Sequence, residues 1–225
     1  MDLLEAIQTR HSVRSYTSQE IEGKIKDELL SFLQECNRDS GLHMQLILDE
    51  PKAFDSFIAH FGKFSGARNY IAIIGAKDSS VEEICGYYGE KVVLKAQQMG
   101  LNTCWAAMTY SKIKTAYELK KDEKIYMVIA IGYGENQGNP HKSKSASDVS
   151  NLSDSSPEWF RKGVEAALLA PTAMNQQKFY FTLHDDQTVS VKSGIGFYSR
   201  TDLGIVKYHF ELGAGTENFQ WRTDS

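Results

Sequence analysis

The chain has 225 residues, 41% of them hydrophobic and 24% charged, with only 4 prolines, which argues for an ordinary globular protein and against disordered, collagen-like or coiled-coil chains. A net charge of −4 leaves no broad basic surface for nucleic acid or an acidic membrane, so an anion has to be bound by a local site. Cys36, Cys85 and Cys104 are far apart and lack CxxC spacing; reduced thiols in a cytosol are expected rather than a disulfide framework or a zinc ribbon.

In chain order, Leu3 to Gln8 reads as a short helix with Leu3, Leu4 and Ile7 on one face and Asp2 as its cap. Asp2, Glu5, Arg10, His11 and Arg14 leave no apolar signal region, and no window approaches the ~18 apolar residues of a spanning helix, so a cytoplasmic protein is expected. After a break at Arg10 to Thr17, the spacing of Ile25, Leu29, Leu30, Phe32 and Leu33 predicts a helix over Lys24 to Glu35. Turn residues Asn37 to Gly41 and an alternating strand, Leu42 to Leu48, follow. A strand at Tyr70 to Ile74 precedes a long amphipathic helix from Glu82 to Met99, closed by Gly100. Strands at Thr103 to Met108 and Ile125 to Ile131 flank a polar helical stretch around Tyr117 to Lys121.

Glu135 to Ser156 is polar and almost free of apolar residues, which reads as a surface connection with a lobe boundary near residue 150. Beyond it the pattern predicts a helix from Pro157 to Ala170, a turn over Pro171 to Gln177 and a strand Phe179 to Leu183. A helix from Asp202 to Leu212 and a short strand Phe219 to Trp221 complete the chain. A helix, turn, strand series occurs in both halves, and the Gly89 to Gly100 and Gly204 to Gly215 separations are equal. An internal duplication with a shortened second copy accounts for this, and so does chance agreement within a mixed domain. The expected organisation is an N-terminal lobe, residues 1–150, and a shorter C-terminal lobe, residues 151–225.

Several familiar motifs fail on spacing. Gly132-Tyr133-Gly134 follows a strand, but Gln137 stands where a dinucleotide fingerprint needs its third glycine, and Gly194-Ile195-Gly196 has Ser199 there. GxxxxGK[ST] and GxSxG are absent, and the six histidines show no HxxxH or HExxH spacing, so no metal centre is expected. Cys104, on an apolar strand beside Trp105, reads as a buried, inert thiol rather than a nucleophile.

Three segments retain chemistry. Arg10-His11-Ser12-Val13-Arg14, if extended, turns alternate side chains to one face, where they can converge on a phosphate or carboxylate; a solvated basic turn paired with Glu5 or Glu20 explains the spacing as well. Ala170-Pro171-Thr172-Ala173-Met174-Asn175-Gln176-Gln177 offers hydroxyl and amide groups suited to a heteroaromatic ring edge, or is a plain polar loop. In Met99-Gly100-Leu101-Asn102-Thr103-Cys104-Trp105, Gly100 and Leu101 can bring backbone close to a flat ligand, or a capped helix simply feeds a core strand.

Together these segments resemble the flavin-dependent nitroreductase family. RHSVRSYT is similar to its Arg-x-Ser-x-Arg-x-aromatic flavin motif, MGLNTCW to its Gly-Leu-Gly-Thr-Cys-Trp segment, and IAIGYGENQGNPHKSK to its strand and lysine-bearing tail. APTAMNQQ resembles its Ala-Pro-Ser-x-x-Asn-x-Gln-Pro element, but stands in the second lobe; the usual order has that element where Glu35 to Gly41 lie here. The resemblance implies an α+β fold, a nitroreductase-like three-layer α/β/α sandwich. The rearranged order implies a divergent branch in which two pseudo-symmetric lobes of a monomer replace the usual homodimer around one flavin mononucleotide (FMN); a homodimer stays open.

On this resemblance Arg10 and Ser12, with His11 and Lys142 or Lys144 nearby, hold the FMN phosphate, and Arg14 lies by the N1 and O2 ring edge, where a cation favours the reduced anion. Leu101, Asn102 and Thr103 pass backbone beside the ring, and Pro171, Thr172, Ala173, Asn175 and Gln176 address the ribityl chain or pyrimidine edge. NADH or NADPH then acts as co-substrate, followed over the same ring by a small-molecule electron acceptor, a nitroaromatic, quinone or similar planar compound, in ping-pong order. No catalytic acid or base is implied. The alternatives are a flavin-binding sensor or carrier without turnover, and an interaction domain whose motifs are relics.

Overall fold

A computed structural model describes residues 1–55, 57 and 61–222. Helix α1 (Leu3–Thr9) starts where the Asp2 side chain accepts the Glu5 N–H at 2.8 Å. Helix α2 (Gly23–Ser40) runs past the expected end, because Asn37 does not turn the chain. Its side chain instead brackets Met44, accepting that residue's N–H at 2.7 Å and donating to its carbonyl at 2.9 Å. The helix stops at Gly41, whose φ of 72° suits glycine.

Strand β1 (Gln45–Ile47) is shorter than its pattern, and β2 (Tyr70–Ala76) leads into α3 (Val81–Gln98). That helix ends in a paired cap: Gly100 N–H donates to the Gln97 carbonyl, Leu101 N–H to that of Ala96, and Gly100 takes φ 79°. Strands β3 (Asn102–Ala106) and β4 (Glu123–Gly132) complete an antiparallel sheet in the order β1-β2-β4-β3. Its two faces are both covered. Ile71, Ile73, Ile129 and Ile131 pack with Leu29, Leu33 and Val92 of the helices, while Tyr70, Ala72, Val128 and Ala130 pack with Phe54, Tyr110 and Tyr117. This two-sided burial is why β2 is a continuous apolar run rather than an alternating one.

The polar stretch Tyr117 to Lys121 forms no helix. Tyr117 is buried, and the Gln45 side chain takes both the N–H and the carbonyl of Glu118, so these backbone groups are satisfied by an edge strand instead of a helical ladder.

The second half holds α4 (Ala146–Val149), α5 (Glu158–Leu168), β5 (Phe179–Leu183), β6 (Thr188–Ser193), α6 (Ser199–Ala214) and β7 (Gln220–Trp221). β5 pairs antiparallel and β7 parallel with β6, a strand the sequence reading did not include although Thr188-Val189-Ser190-Val191 alternates. The order helix, strand, strand, helix, strand thus occurs twice, as α2-β1-β2-α3-β3 and α5-β5-β6-α6-β7. The polar connection is not featureless either. Ser145 and Asp148 form a capping box on α4, and Val149 is fully buried.

Helices α3 and α6 join the halves. A Cβ on Gly86 would stand 1.9 Å from the Thr201 carbonyl oxygen, and one on Gly204 1.9 Å from that of Glu83, so the two helices cross backbone to backbone. No helix among the described residues is long and apolar enough to cross a membrane.

Candidate functional site

The basic segment after α1 is extended because it lies along β3. Ser12 bridges Thr103 in parallel, and the Val13 N–H donates to the Thr103 carbonyl at 3.0 Å. Val13 is therefore fully buried, while Ser12 and Arg14 on either side of it face a crevice.

Facing them is the bend Pro171 to Gln177, in which Met174, Asn175 and Gln177 have φ of 53°, 53° and 45°. Three side-chain-bearing residues in the left-handed region are costly and persist only where surroundings fix them. Here Asp202 of α6 accepts the Ala173 N–H at 2.9 Å and the Gln176 amide at 2.7 Å. Thr172 Oγ1 accepts the Gln177 N–H at 3.1 Å, and Lys144 Nζ donates to the Gln177 carbonyl at 2.8 Å.

Between the segments lie two adjoining cavities of unlike character. The first, about 510 Å³, is mainly apolar and is walled by Trp105 to Thr109, Met127, Ala173, Phe197, Tyr198, Thr201, Asp202 and Ile205. The second, about 470 Å³, is polar and is walled by Arg10, His11, Ser15, Asn136, Gly138, Asn139, His141 and Asn175. Ser12, Arg14, Pro171, Thr172 and Met174 line both.

The polar cavity is short of negative partners. Arg10 is 4% exposed; its Nε has no hydrogen-bond partner and lies 3.8 Å from Glu90, and its Nη2 donates to the Leu169 carbonyl at 3.4 Å. Burial lowers the pKa of this guanidinium, opposed by Glu90. His11 is held below the usual imidazole range by burial and then by the neighbouring Arg10. In the apolar cavity, burial pushes the Asp202 carboxyl up to about 6 against the hydrogen bonds from Gln176 and Ala173. The Cys104 thiol is buried and its pKa raised by that burial, so it is not a poised nucleophile.

Of the residues singled out in the sequence, Arg10, His11, Ser12, Arg14, Pro171, Thr172, Ala173 and Asn175 come together on the cavity walls. Leu101, Asn102, Thr103, Lys142, Lys144 and Gln176 line neither of them. Leu101 packs in the helical core, Asn102 is tied to Gln137 and to the Gly134 N–H, and the Thr103 carbonyl receives Val13, so this segment backs the wall instead of forming it. The Lys142 side chain is exposed and its carbonyl accepts from Asn175 and Gln177; the Lys144 amine is engaged by Gln177; the Gln176 amide turns to Asp202 and the Phe197 carbonyl.

Sequence reasoning passed over Trp105 to Thr109, Asn136 to His141, and Phe197 to Asp202. Trp105 and Asn136 to His141 stand in segments that carry the family resemblance but were given no role there; for Phe197 to Asp202 the local signal was the apolar residues Ile195 and Phe197 set among turn residues.

Comparison with known proteins agrees with this architecture. A family model described as "Putative TM nitroreductase" matches residues 2–214. A Methanothermobacter thermautotrophicus protein named "Putative NADH dehydrogenase/NAD(P)H nitroreductase" is 26% identical over 168 residues, spanning 61% of this chain and 81% of its own. A Thermotoga maritima structure, described as a "putative nitroreductase", superposes with a TM-score of 0.68 at 23% identity, covering 95% of this chain and 83% of its own. A Parabacteroides distasonis structure bearing the same name as the Methanothermobacter protein gives 0.51 at 21% identity, over 65% of this chain and 95% of its own. At these identities the two structures speak to the fold. The family match spans both halves and both walls of the crevice, and the chain accordingly belongs to the nitroreductase family.

Proposed function

We propose that this chain is an FMN-dependent NAD(P)H oxidoreductase that reduces nitroaromatic, quinone or similar planar acceptors, with two unequal lobes of one chain building a single flavin site. The observation that carries this reading is one crevice shared by the basic segment and the Pro171 bend: Ser12, Arg14, Pro171, Thr172 and Met174 line its polar and its apolar part alike.

The residues present fit the group. A phosphate calls for charge-assisted donors, and the polar cavity offers Arg14, His11, the Ser12 hydroxyl and Arg10, whose buried Nε has no hydrogen-bond partner among the described residues. A planar ring calls for an apolar slot, which Trp105, Ala106, Met127 and Ile205 supply. When bound, the flavin supplies the redox chemistry, accepting a hydride from NADH or NADPH and returning electrons to the acceptor. The name of the Methanothermobacter relative supports a nicotinamide donor.

The chain's own residues bind, orient and exclude water. Arg14 places a cation where the two cavities meet, which favours negative charge on a ring seated there. Asp202 holds the strained bend, and through it the position of Thr172 at the junction. Met108, Met174 and Phe197, 66%, 86% and 67% exposed, form an apolar rim suited to flat, weakly hydrated molecules. Donor and acceptor use this one opening in turn, which predicts ping-pong kinetics.

Anaerobic addition of NADH or NADPH to the FMN-loaded protein tests the reading. Bleaching of the flavin colour, and its recovery on adding a quinone, is the expected result. A flavin that neither nicotinamide reduces would leave a binding protein without turnover, and a chain that takes up no FMN would overturn the proposal altogether.

A further inference from the structure

One buried cluster lies behind both cavities and has no part in the function above. The glycine crossing of α3 and α6 brings Glu90, one turn beyond Gly86, against His209, five residues beyond Gly204: His209 Nε2 lies 2.9 Å from Glu90 Oε1, and both residues are fully buried. The other ring nitrogen, Nδ1, lies 3.1 Å from the Ala166 carbonyl. A carbonyl oxygen only accepts, so Nδ1 carries a hydrogen. In a neutral imidazole Nε2 then holds a lone pair facing a carboxylate oxygen, two acceptors at hydrogen-bond distance, which is repulsive. The contact requires a proton between them, on His209 or on Glu90.

With that proton the Glu90–His209 pair is neutral as a unit. Arg10, whose Nε lies 3.8 Å from the same Glu90 oxygen, therefore faces a pair with no net charge; among the described residues that Nε has no hydrogen-bond partner, and Nη2 makes one long hydrogen bond. Glu90 Oε2 meanwhile accepts the Trp105 indole N–H at 2.9 Å, and a Cβ on the adjacent Gly89 would fall 2.2 Å from the same ring. One carboxyl group thus touches the wall of each cavity.

We propose that His209 and Glu90 are positioning residues for the anion site: the proton they share makes the pair neutral as a unit, so that the Arg10–Glu90–His209 group keeps a net positive charge for a phosphate in the polar cavity, while Glu90 fixes Trp105 in the apolar one. This rests on the phosphate of FMN occupying the polar cavity, as argued above. Removing the shared proton leaves the Glu90 charge to Arg10 alone and selectively weakens a phosphate-bearing ligand.

The test compares FMN with riboflavin, which lacks the phosphate, by fluorescence titration of the apoprotein. Wild type is expected to prefer FMN. His209→Gln, which can still donate a hydrogen bond but brings no charge, is expected to lose about tenfold or more in FMN affinity with riboflavin affinity unchanged. The double variant E90Q/H209Q, which leaves Arg10 without a carboxylate neighbour, is expected to recover the FMN preference. Equal weakening of both ligands by His209→Gln would assign the pair a purely structural role and overturn the inference, as would a fully retained preference. Should His209→Gln fail to fold, Glu90→Gln decides: it must keep or strengthen the FMN preference, and a loss there contradicts the proposal. A wild type that binds FMN and riboflavin equally would instead refute the placement of the phosphate itself.

Discussion

The two cavities share five wall residues but are built from different material. The polar one is walled by loops: the extended Arg10 to Ser15 segment, the Asn136 to His141 connection and the Pro171 bend. The apolar one is largely a continuation of the core, formed where β3 runs out beside Met127 in the middle of β4 and where the first turns of α6 begin. The basic side chains come from irregular backbone, and the slot for a flat ring stands where packed side chains end. The site therefore divides its work, with affinity for charge on one side and exclusion of water on the other.

The largest effect is expected where the comparison can be broken outright. Gly204→Val forces side-chain atoms into the Glu83 carbonyl oxygen, which a Cβ alone would approach to 1.9 Å, and separates the helices that support both cavities. A loss of about 3 kcal/mol or more in urea unfolding, with FMN and riboflavin binding lost together, is the expected outcome.

Arg14→Ala should act more selectively, because Arg14 is exposed and lines both cavities. FMN affinity is expected to fall about 10- to 100-fold, with stability changed by no more than about 0.5 kcal/mol. Normal FMN retention and a normal rate of reduction would remove Arg14 from the site.

Asp202 sharpens the contrast through pH. Its carboxyl titrates near 6 in the folded chain against an ordinary 3.8, so the fold favours the protonated form. The corresponding stability is fully present below 3.8 and is lost as pH rises through 6. At about 1.4 kcal/mol per unit, the stability of Asp202→Asn relative to wild type should rise by about 2–3 kcal/mol between pH 4 and pH 8, measured by chemical denaturation at each pH. A pH-independent difference would contradict the burial argument.

The smallest effect belongs to the rim. Phe197→Ala should raise KM for a hydrophobic quinone about two- to tenfold and leave FMN affinity unchanged. Equal changes in both would show that the ring and the acceptor do not occupy separate layers of the opening.

The same division decides what the sequence made legible. Helices α1, α3, α5 and α6 and strands β2, β4 and β5 follow from apolar spacing and caps, down to the glycine that ends α3. The polar residues of Arg10 to Arg14 and Pro171 to Asn175 stand out because charges and amides cluster there against a loop background. Trp105 to Met108 and Met127 read only as strand residues, because whether a core position is covered or opens onto a cavity depends on what folds over its end. The family resemblance puts Leu101 to Thr103 beside the ring, whereas the register of Ser12 on Thr103 sets them behind the cavity walls. Tyr117 to Lys121 forms no helix although its pattern predicts one, because helix propensity carries no knowledge of Gln45, 73 residues away from Glu118. Glu90 and His209 gave no signal at all: their relation exists only through the crossing at Gly86 and Gly204.

A crystal structure of the protein with FMN tests the central claim most directly. One flavin per chain is expected, its phosphate among Arg10, Ser12 and Arg14, and its ring between Trp105 to Met108 and the Pro171 to Met174 bend. Flavin bound elsewhere, two flavins per chain, or a ring seated in the polar cavity would contradict it.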